Sequence, residues 1–181
     1  MLLMFEKGIL GGITQAVHQF AKAKNKCMGS LHNPNVLSSF LQYLDANNLY
    51  GGAMSRDLPT HGFKWITQTE RVTPSFIKRL VQKNKHGYLL EVDVDYPKEL
   101  HDLHNELPFM TEKMTIHKVE KLVPNLRNKR HYVIRIAALN QAIEHGLILK
   151  KVHRVIQFEQ SPWLKPYIDF NTELRKRAQN V

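Results

Sequence analysis

Asp45 is placed by its neighbours where a divalent cation could bind. It follows the apolar, β-prone run 40–44 and precedes the polar turn Asn47-Asn48. A buried strand would fix the carboxylate, and the turn after it would offer backbone carbonyls as further hard oxygen ligands. Tyr50 follows at a fixed distance and would wall the pocket beside the metal. The alternative interpretation is a strand end at which Asp45 caps the turn.

Two further pairs of possible ligands stand later in the chain. Asp93 and Asp95 form an Asp-x-Asp pattern with both carboxylates on one strand face. We interpret this pattern as a solvated strand face, although a metal-dependent nuclease built on Asp45, Asp93 and Asp95 is an alternative. His101 and His104 have a ligand-like i, i+3 spacing, but the sequence offers no evident third ligand. We therefore predict that these two histidines are surface residues.

The composition is that of a globular protein with a strongly basic balance. The chain has 181 residues, a hydrophobic fraction of 43% and a formal net charge of +10. This size suits one domain or a piece of a larger one, and enough apolar side chains are present to bury a core. Cys27 is the only cysteine, which excludes a disulfide framework and a cysteine-based zinc site and favours a reducing, intracellular setting. No apolar run reaches the roughly 20 residues of a membrane span, so no membrane partner is expected.

The positive charge is concentrated in the last third of the chain. Residues 126–181 hold eleven Lys and Arg against four Asp and Glu, a net charge of +7. Such a charge predicts an acidic partner, nucleic acid first among them. The residues predicted to contact phosphates are Lys150, Lys151, Arg175, Lys176 and Arg177.

The elements that must position these residues form a mixed α+β pattern. Alternation and turn signals predict strands at 40–44, 88–94, 132–136 and 152–158. Capping signals and apolar periodicity predict helices at 73–84 and 137–145, one or two turns within 97–107, and a helix that follows Ser161-Pro162. Gly146 is predicted to end the helix before it. Gly8, Gly11 and Gly12 argue against a regular element at the start of the chain.

The run Asp45-Ala46-Asn47-Asn48-Leu49-Tyr50-Gly51 resembles the first catalytic palm motif of family B DNA polymerases, Asp-x-x-Ser-Leu-Tyr-Pro. It is most similar to the protein-primed polymerases of viruses, organellar plasmids and Maverick/Polinton-type transposons. Asn48 and Gly51 depart from the Ser and Pro of the general family. Similar runs follow in order over nearly the whole chain: Ala53-Met54-Ser55, Leu58-Pro59, Gly62-Phe63-Lys64-Trp65, and residues 88–97, 101–105, 121–126 and 153–168.

The resemblance implies a partial polymerase palm with an inserted α/β subdomain. It divides the chain into a linker between exonuclease and palm (1–30), a palm segment with the first motif (31–65), an insertion (66–130), palm strands with a short helix (131–160) and the start of a fingers helix (161–181). The second motif, Lys-x-x-x-Asn-Ser-x-Tyr-Gly, and the third, Asp-Thr-Asp, are expected beyond Val181. An editing exonuclease is expected before Met1. The sequence therefore resembles an internal piece of a polymerase.

The resemblance also implies a role for each motif residue. Asp45 would bridge two Mg²⁺ ions about 3.5–4 Å apart, and the carbonyl of Ala46 would add a ligand. The backbone of Asn47, Asn48, Leu49 and Tyr50 would face the triphosphate, and the Tyr50 ring would exclude a 2′-hydroxyl from the sugar site. Gly11 and Gly12 would touch the template strand, although Leu10 stands where an Arg is expected before the pair.

The function implied is template-directed transfer of deoxynucleotides to a primer 3′-hydroxyl during DNA replication. The partners would be template and primer DNA, deoxynucleoside triphosphates and a terminal priming protein docked on residues 66–130. The chain alone is expected to be inactive, because the other metal carboxylates are missing from it. The setting would be the nucleus or a viral or mobile-element replication site. A non-catalytic nucleic-acid-binding remnant of a mobile element is the alternative of another class.

Overall fold

The computed structural model describes residues 1–69, 72–82 and 85–178. The strands are β1 (Leu58–Ile66), β2 (His86–Asp95), β3 (Glu112–Ile116), β4 (Val119–Val123), β5 (Lys129–Arg135) and β6 (Ile148–Ser161). The α-helices are α1 (Leu2–Gly8), α2 (Leu49–Met54), α3 (Pro74–Gln82), α4 (His101–His104), α5 (Ile136–Glu144) and α6 (Lys165–Ala178). Short 3₁₀ helices cover Lys26–Leu31 and Lys98–Leu100.

Four strands form one antiparallel sheet in the order β1-β6-β2-β5, and β3 and β4 form a separate hairpin. The long strand β6 pairs with β1 on one side and with β2 on the other. The mixed α+β class predicted from the sequence is thereby confirmed. The described residues contain no helix that is both long and apolar enough to cross a lipid bilayer.

The sheet is covered differently on its two faces because the side chains of β2 alternate. Leu90, Val92 and Val94 are buried in the larger core, which also holds Ile77 of α3 and Leu139 of α5. On the other face, the smaller core contains Leu89 together with residues of α1, β5 and β6: Met4, Val133, Ile156 and Phe158. Further along that face the apolar side chains give way to polar ones, and the candidate metal ligands described below lie there.

Several predicted elements are confirmed. β2, β5, β6 and α5 cover or overlap the predicted ranges, and the predicted turns within 97–107 correspond to the 3₁₀ helix and α4. The Thr73 hydroxyl accepts a hydrogen bond from the Phe76 amide at 3.3 Å, which caps the start of α3. The predicted end of helix α3 at residue 84 lies outside the described residues. Gly146, with φ of 95°, follows α5 in the left-handed conformation that suits glycine at a helix end.

The strand predicted at 40–44 is wrong. These residues form an exposed, irregular segment, and the nearest strand-like feature is a single bridge between Lys24 and Ser39. An apolar run becomes a strand only where a neighbouring strand and a core cover it, and the described residues supply neither at 40–44.

The two ends of the chain also differ from expectation. The start of the chain forms α1, which ends at Gly8. Gly8 lies close to β5, since a Cβ added to Gly8 would be 3.2 Å from the Val133 side chain. The last helix begins only at Lys165, and the predicted Ser161-Pro162 cap is wrong: Ser161 is the last residue of β6, and Pro162 lies in the connection to α6.

The sheet joins parts of the chain that the polymerase resemblance assigns to different segments. β2 lies within the expected insertion, and its two neighbours in the sheet, β5 and β6, reach into or lie within the following palm segment. The division into polymerase segments stays a prediction, and these segments fold together around one sheet.

Candidate functional site

The Asp45 segment lies at the surface and leads into α2. Asn48 has φ of 54° and ψ of 44°, a left-handed conformation that asparagine adopts more readily than most residues. The chain therefore reverses at Asn47-Asn48 and starts α2 at Leu49, which confirms the predicted turn. The predicted buried strand before Asp45 is absent, so Asp45 stands on an exposed loop rather than at a fixed strand end.

Gly51 is packed against the side chain of Asn48. It is buried in the first turn of α2, and an added Cβ would lie 2.4 Å from both side-chain polar atoms of Asn48. Any larger residue would displace that side chain from the turn. Glycine at 51 thus accommodates asparagine at 48.

A groove between α2 and α6 brings together residues that the sequence assigns to nucleotide and to DNA. One wall carries Asn48, Tyr50 and Met54, and the other is formed by α6: Ile168, Asn171, Thr172 and Arg175. The cavity is about 290 Å³, near the lower end of the range for small-molecule pockets. The Tyr50 side chain is 84% exposed beside it. Tyr50 is therefore available to a ligand and is not a core residue.

The other predicted DNA contacts are dispersed. Lys150 lies 3.9 Å from the Asp95 carboxylate and Lys176 lies 2.9 Å from Glu173, so part of their charge is compensated. Lys151 and Arg177 are exposed. Gly11 and Gly12 have open space where a side chain would stand, and neither they nor Lys150 and Lys151 line the α2–α6 groove.

A second set of polar side chains, the β2 polar cluster, consists of Glu91, Asp93, His131, His153 and Arg154. Glu91 is only 5% exposed, and its carboxylate accepts a hydrogen bond from the Arg154 Nε and lies 3.2 Å from His131 Nδ1. Burial alone would raise the pKa of Glu91. The hydrogen bond and charge of Arg154, with His131 and Lys7, nevertheless lower this pKa below its usual range.

Asp93 is held by the two histidines of this cluster. Its Oδ1 accepts the backbone N–H of His131 at 2.8 Å, and its Oδ2 lies 2.9 Å from His153 Nε2. Burial would raise the pKa of Asp93, but these contacts lower it. The His131 and His153 rings stack with centroids 4.0 Å apart and planes 23° apart. One carboxylate oxygen and one nitrogen of each imidazole therefore lie within 4.8 Å of one another.

The solvated strand face predicted for Asp93 and Asp95 is wrong. Both are partly buried and paired: Asp95 accepts from Arg130 Nη2 at 2.8 Å, and Asp93 is held as described above. The sequence analysis did not identify Glu91, His131 and His153 as candidate site residues. Alternate acidic residues at 91, 93 and 95 were the available signal, but nothing in the sequence shows that β5 and β6 bring histidines beside them.

The structure also separates the residues of the nuclease alternative. Among the described residues, one group of three side chains has its possible ligand atoms close enough to share a metal ion, within 4.8 Å of one another. This group is Asp93, His131 and His153. Asp45 and Asp95 are not part of it, so the three aspartates do not form a joint metal site.

The prediction that His101 and His104 are surface residues is wrong. His104 is buried, and its Nδ1 lies 2.8 Å from the Tyr96 hydroxyl. His101 is partly buried, and its ring packs edge-on against Tyr96. Both rings therefore serve the packing around Tyr96.

No protein-family model, curated protein or solved structure matches this chain. The resemblance to family B polymerases therefore stays a prediction from the motif and the matches that follow it in order.

Proposed function

We propose that this chain is a segment of a protein-primed family B DNA polymerase. In that enzyme Asp45 and the carbonyl of Ala46 bind Mg²⁺, and the turn 47–50 faces the incoming deoxynucleotide. The reaction is attack of the primer 3′-hydroxyl on the α-phosphate, with pyrophosphate leaving and two metal ions stabilising the attacking and leaving oxygens.

The observation that carries this proposal is the α2–α6 groove. Tyr50 and Arg175 are far apart in the sequence and were assigned to nucleotide and DNA for independent reasons, one from the motif and one from charge. They line the same groove. A guanidinium beside an exposed aromatic ring and a tight turn is a suitable arrangement for a nucleotide, since the cation pairs with phosphate and the ring packs against the sugar.

Charge supports the same proposal. The net charge of +10 favours a polyanionic partner. The α6 surface adds Lys176 and Arg177 next to Arg175, in a helix with no buried residues. A helix that is polar on most of its surface gains little stability from packing against the rest of the protein. Phosphate binding is therefore a reason for the basic residues at the end of α6.

The proposal requires further carboxylates beside Asp45. Among the described residues, Asp45 belongs to no group of three possible metal ligands. A single exposed carboxylate holds Mg²⁺ weakly, because the ion keeps most of its water ligands. We therefore expect that the 181-residue chain alone does not extend primers.

The test is primer extension by a longer polymerase that contains this chain. Asp45→Ala should reduce extension by several orders of magnitude while DNA binding is retained, because the metal contact is lost and the basic surface is not. The matched control is Asp102→Ala, an exposed aspartate on α4 that the proposal does not use. Full activity of Asp45→Ala would reject the assignment. If every longer chain that contains these residues binds DNA but none of them extends a primer, the non-catalytic alternative is favoured.

A further inference from the structure

We propose that Asp93, His131 and His153 form a binding site for one divalent transition metal ion, with Zn²⁺ the best match. One ligand atom from each residue lies within 4.8 Å of the other two. Two imidazoles and one carboxylate are a donor set that zinc and its neighbours prefer, whereas Mg²⁺ prefers oxygen alone. This site is separate from the Asp45 motif and does not depend on the polymerase proposal.

Three different elements position the ligands. Asp93 lies near the end of β2, and His131 and His153 lie on its two neighbours, β5 and β6. His131 has φ of 49°, and its N–H donates to Asp93 Oδ1 at 2.8 Å. That hydrogen bond fixes the carboxylate and turns its other oxygen towards His153. Ligands on paired strands of a sheet are better fixed than ligands on loops.

The distances suit metal binding after small side-chain movements. Tetrahedral zinc with bonds of about 2.0–2.2 Å places its ligand atoms roughly 3.3–3.5 Å apart. The Asp93 and His153 atoms are 2.9 Å apart, slightly closer than this, and all three ligand atoms lie within 4.8 Å. An ion must also lie in the plane of each ligating ring, so one ring has to turn out of the stack before both can bind it, and the mostly exposed His131 has the room to do so.

His153 supplies the second line of evidence. Its Nε2 is inaccessible to solvent and faces Asp93 Oδ2 at 2.9 Å. A buried imidazole nitrogen and a carboxylate oxygen are thus already directed at one small volume, where a metal ion could bind both.

Glu91 and the solvent complete the surroundings of the site. The Glu91 carboxylate lies 3.2 Å from His131 Nδ1 and can accept its N–H, which leaves Nε2 for the metal. Such carboxylate–histidine–metal arrangements orient the ligating ring. Arg154 and Lys7 hold Glu91 in place. The His131 side chain is 60% exposed, so a water molecule can reach a fourth coordination position.

The experiment titrates the metal-free 181-residue chain with Co²⁺ and, separately, with Zn²⁺. Co²⁺ reports tetrahedral coordination by its visible absorption, and Zn²⁺ binding is measured by calorimetry. The ligand variants are His131→Gln and His153→Gln. The control is His61→Gln, because His61 also contacts a carboxylate, Glu159 at 3.2 Å, but the described part of the chain supplies no third ligand there.

The expected result is one ion per chain, at least tenfold weaker binding in each ligand variant and unchanged binding in His61→Gln. Far-UV circular dichroism of the metal-free variants checks folding. His131 is mostly exposed, so His131→Gln decides the matter even if His153→Gln does not fold. The proposal is overturned if the chain shows no saturable binding of either metal, or if His131→Gln binds as tightly as the unmodified chain.

Discussion

The exposure of Tyr50 distinguishes two roles for this residue, contact with a ligand and packing in a core. Its ring is 84% exposed on α2, although tyrosine at such a position could equally have packed in a core. An exposed aromatic side chain beside a groove contributes little to stability and is free to contact a ligand. The loss of its ring should therefore be visible in substrate choice and not in folding.

Tyr50→Val should raise ribonucleotide incorporation relative to deoxynucleotide incorporation in a polymerase containing this chain. A planar ring under the sugar leaves no room for a 2′-hydroxyl, and valine does. The measurement is the ratio of kcat/KM for the two substrates, with the unfolding midpoint as a control that should change little. An unchanged ratio would place the sugar-excluding residue elsewhere.

At the residue scale, sequence reasoning found the turn at Asn47-Asn48 but not the surroundings of Asp45. A turn depends on local chemistry, and asparagine in a left-handed conformation is a local preference. The burial of residues 40–44 depends on strands that must come from elsewhere in the chain. For the same reason the β2 polar cluster could not be predicted, since its histidines arrive by sheet pairing from β5 and β6.

At the scale of elements, a buried polar network attaches the β3–β4 hairpin to the main sheet. Lys129, the first residue of β5, is fully buried and donates to Glu112 Oε2 at 2.9 Å and to Asn125 Oδ1 at 2.6 Å. Asn125 Nδ2 donates to the same Glu112 oxygen at 2.8 Å. Glu112 starts the hairpin and Asn125 follows it, so the network fixes both ends of the hairpin.

Lys129→Met should destabilise the protein by roughly 3–5 kcal/mol, the usual cost of removing one partner of a buried ion pair. Methionine fills the space but removes the charged donor, so the Glu112 carboxylate keeps only the neutral Asn125 amide and Asn125 Oδ1 keeps only the Arg127 backbone N–H. The free energy of unfolding in urea measures this change. Lys118→Met, in the exposed turn of the same hairpin, is the control and should change stability little. Equal stability of both variants would mean that the network contributes nothing.

The same network predicts a loss of stability in acid. Burial would raise the pKa of Glu112, but hydrogen bonds from Lys129 and Asn125 lower it below the ordinary 4.5. A carboxyl group whose folded pKa is depressed stabilises the folded state above its unfolded pKa. This contribution declines as the pH falls below about 4.5 and is lost below the folded pKa.

Unfolding midpoints measured between neutral pH and pH 3 test this expectation. Glu112→Gln should show a shallower decline in stability with falling pH, because it lacks the titrating carboxyl group. A decline as steep in Glu112→Gln as in the unmodified chain would assign the acid sensitivity to other carboxylates.

Element prediction succeeded where one segment carries its own signal. The amphipathic pattern and Gly146 marked α5, and the alternation marked β2. It missed β1, whose residues are largely exposed at the edge of the sheet, and the hairpin, whose strands have few buried side chains. Both depend on tertiary partners that a local window does not contain.

At the scale of the whole molecule, the basic surface should bind DNA without sequence preference. Each phosphate contact contributes a slope of about −0.9 for duplex or −0.7 for single strands in log K against log salt. Replacing Arg175, Lys176 and Arg177 with alanine should reduce this slope by up to three such contributions. Fluorescence anisotropy with labelled DNA over a salt series measures it.

The control for this measurement is an alanine triple of Lys113, Lys118 and Lys121 on the hairpin, which removes the same charge from another surface. If both triples reduce affinity and slope equally, net charge and not α6 determines binding. Affinity that does not depend on salt would contradict a phosphate interface altogether.

The position of β6 between β1 and β2 has a consequence for synthesis on the ribosome. β1 leaves the ribosome early, but its partner does not exist until the chain from Ile66 to Ile148 has been made. Until then β1 and one side of β2 are open edges, which are templates for pairing with other chains. A nascent chain stalled before Ile148 would therefore be a substrate for chaperones or a seed for aggregation, and translation of β6 covers the open side of β2 and one side of β1.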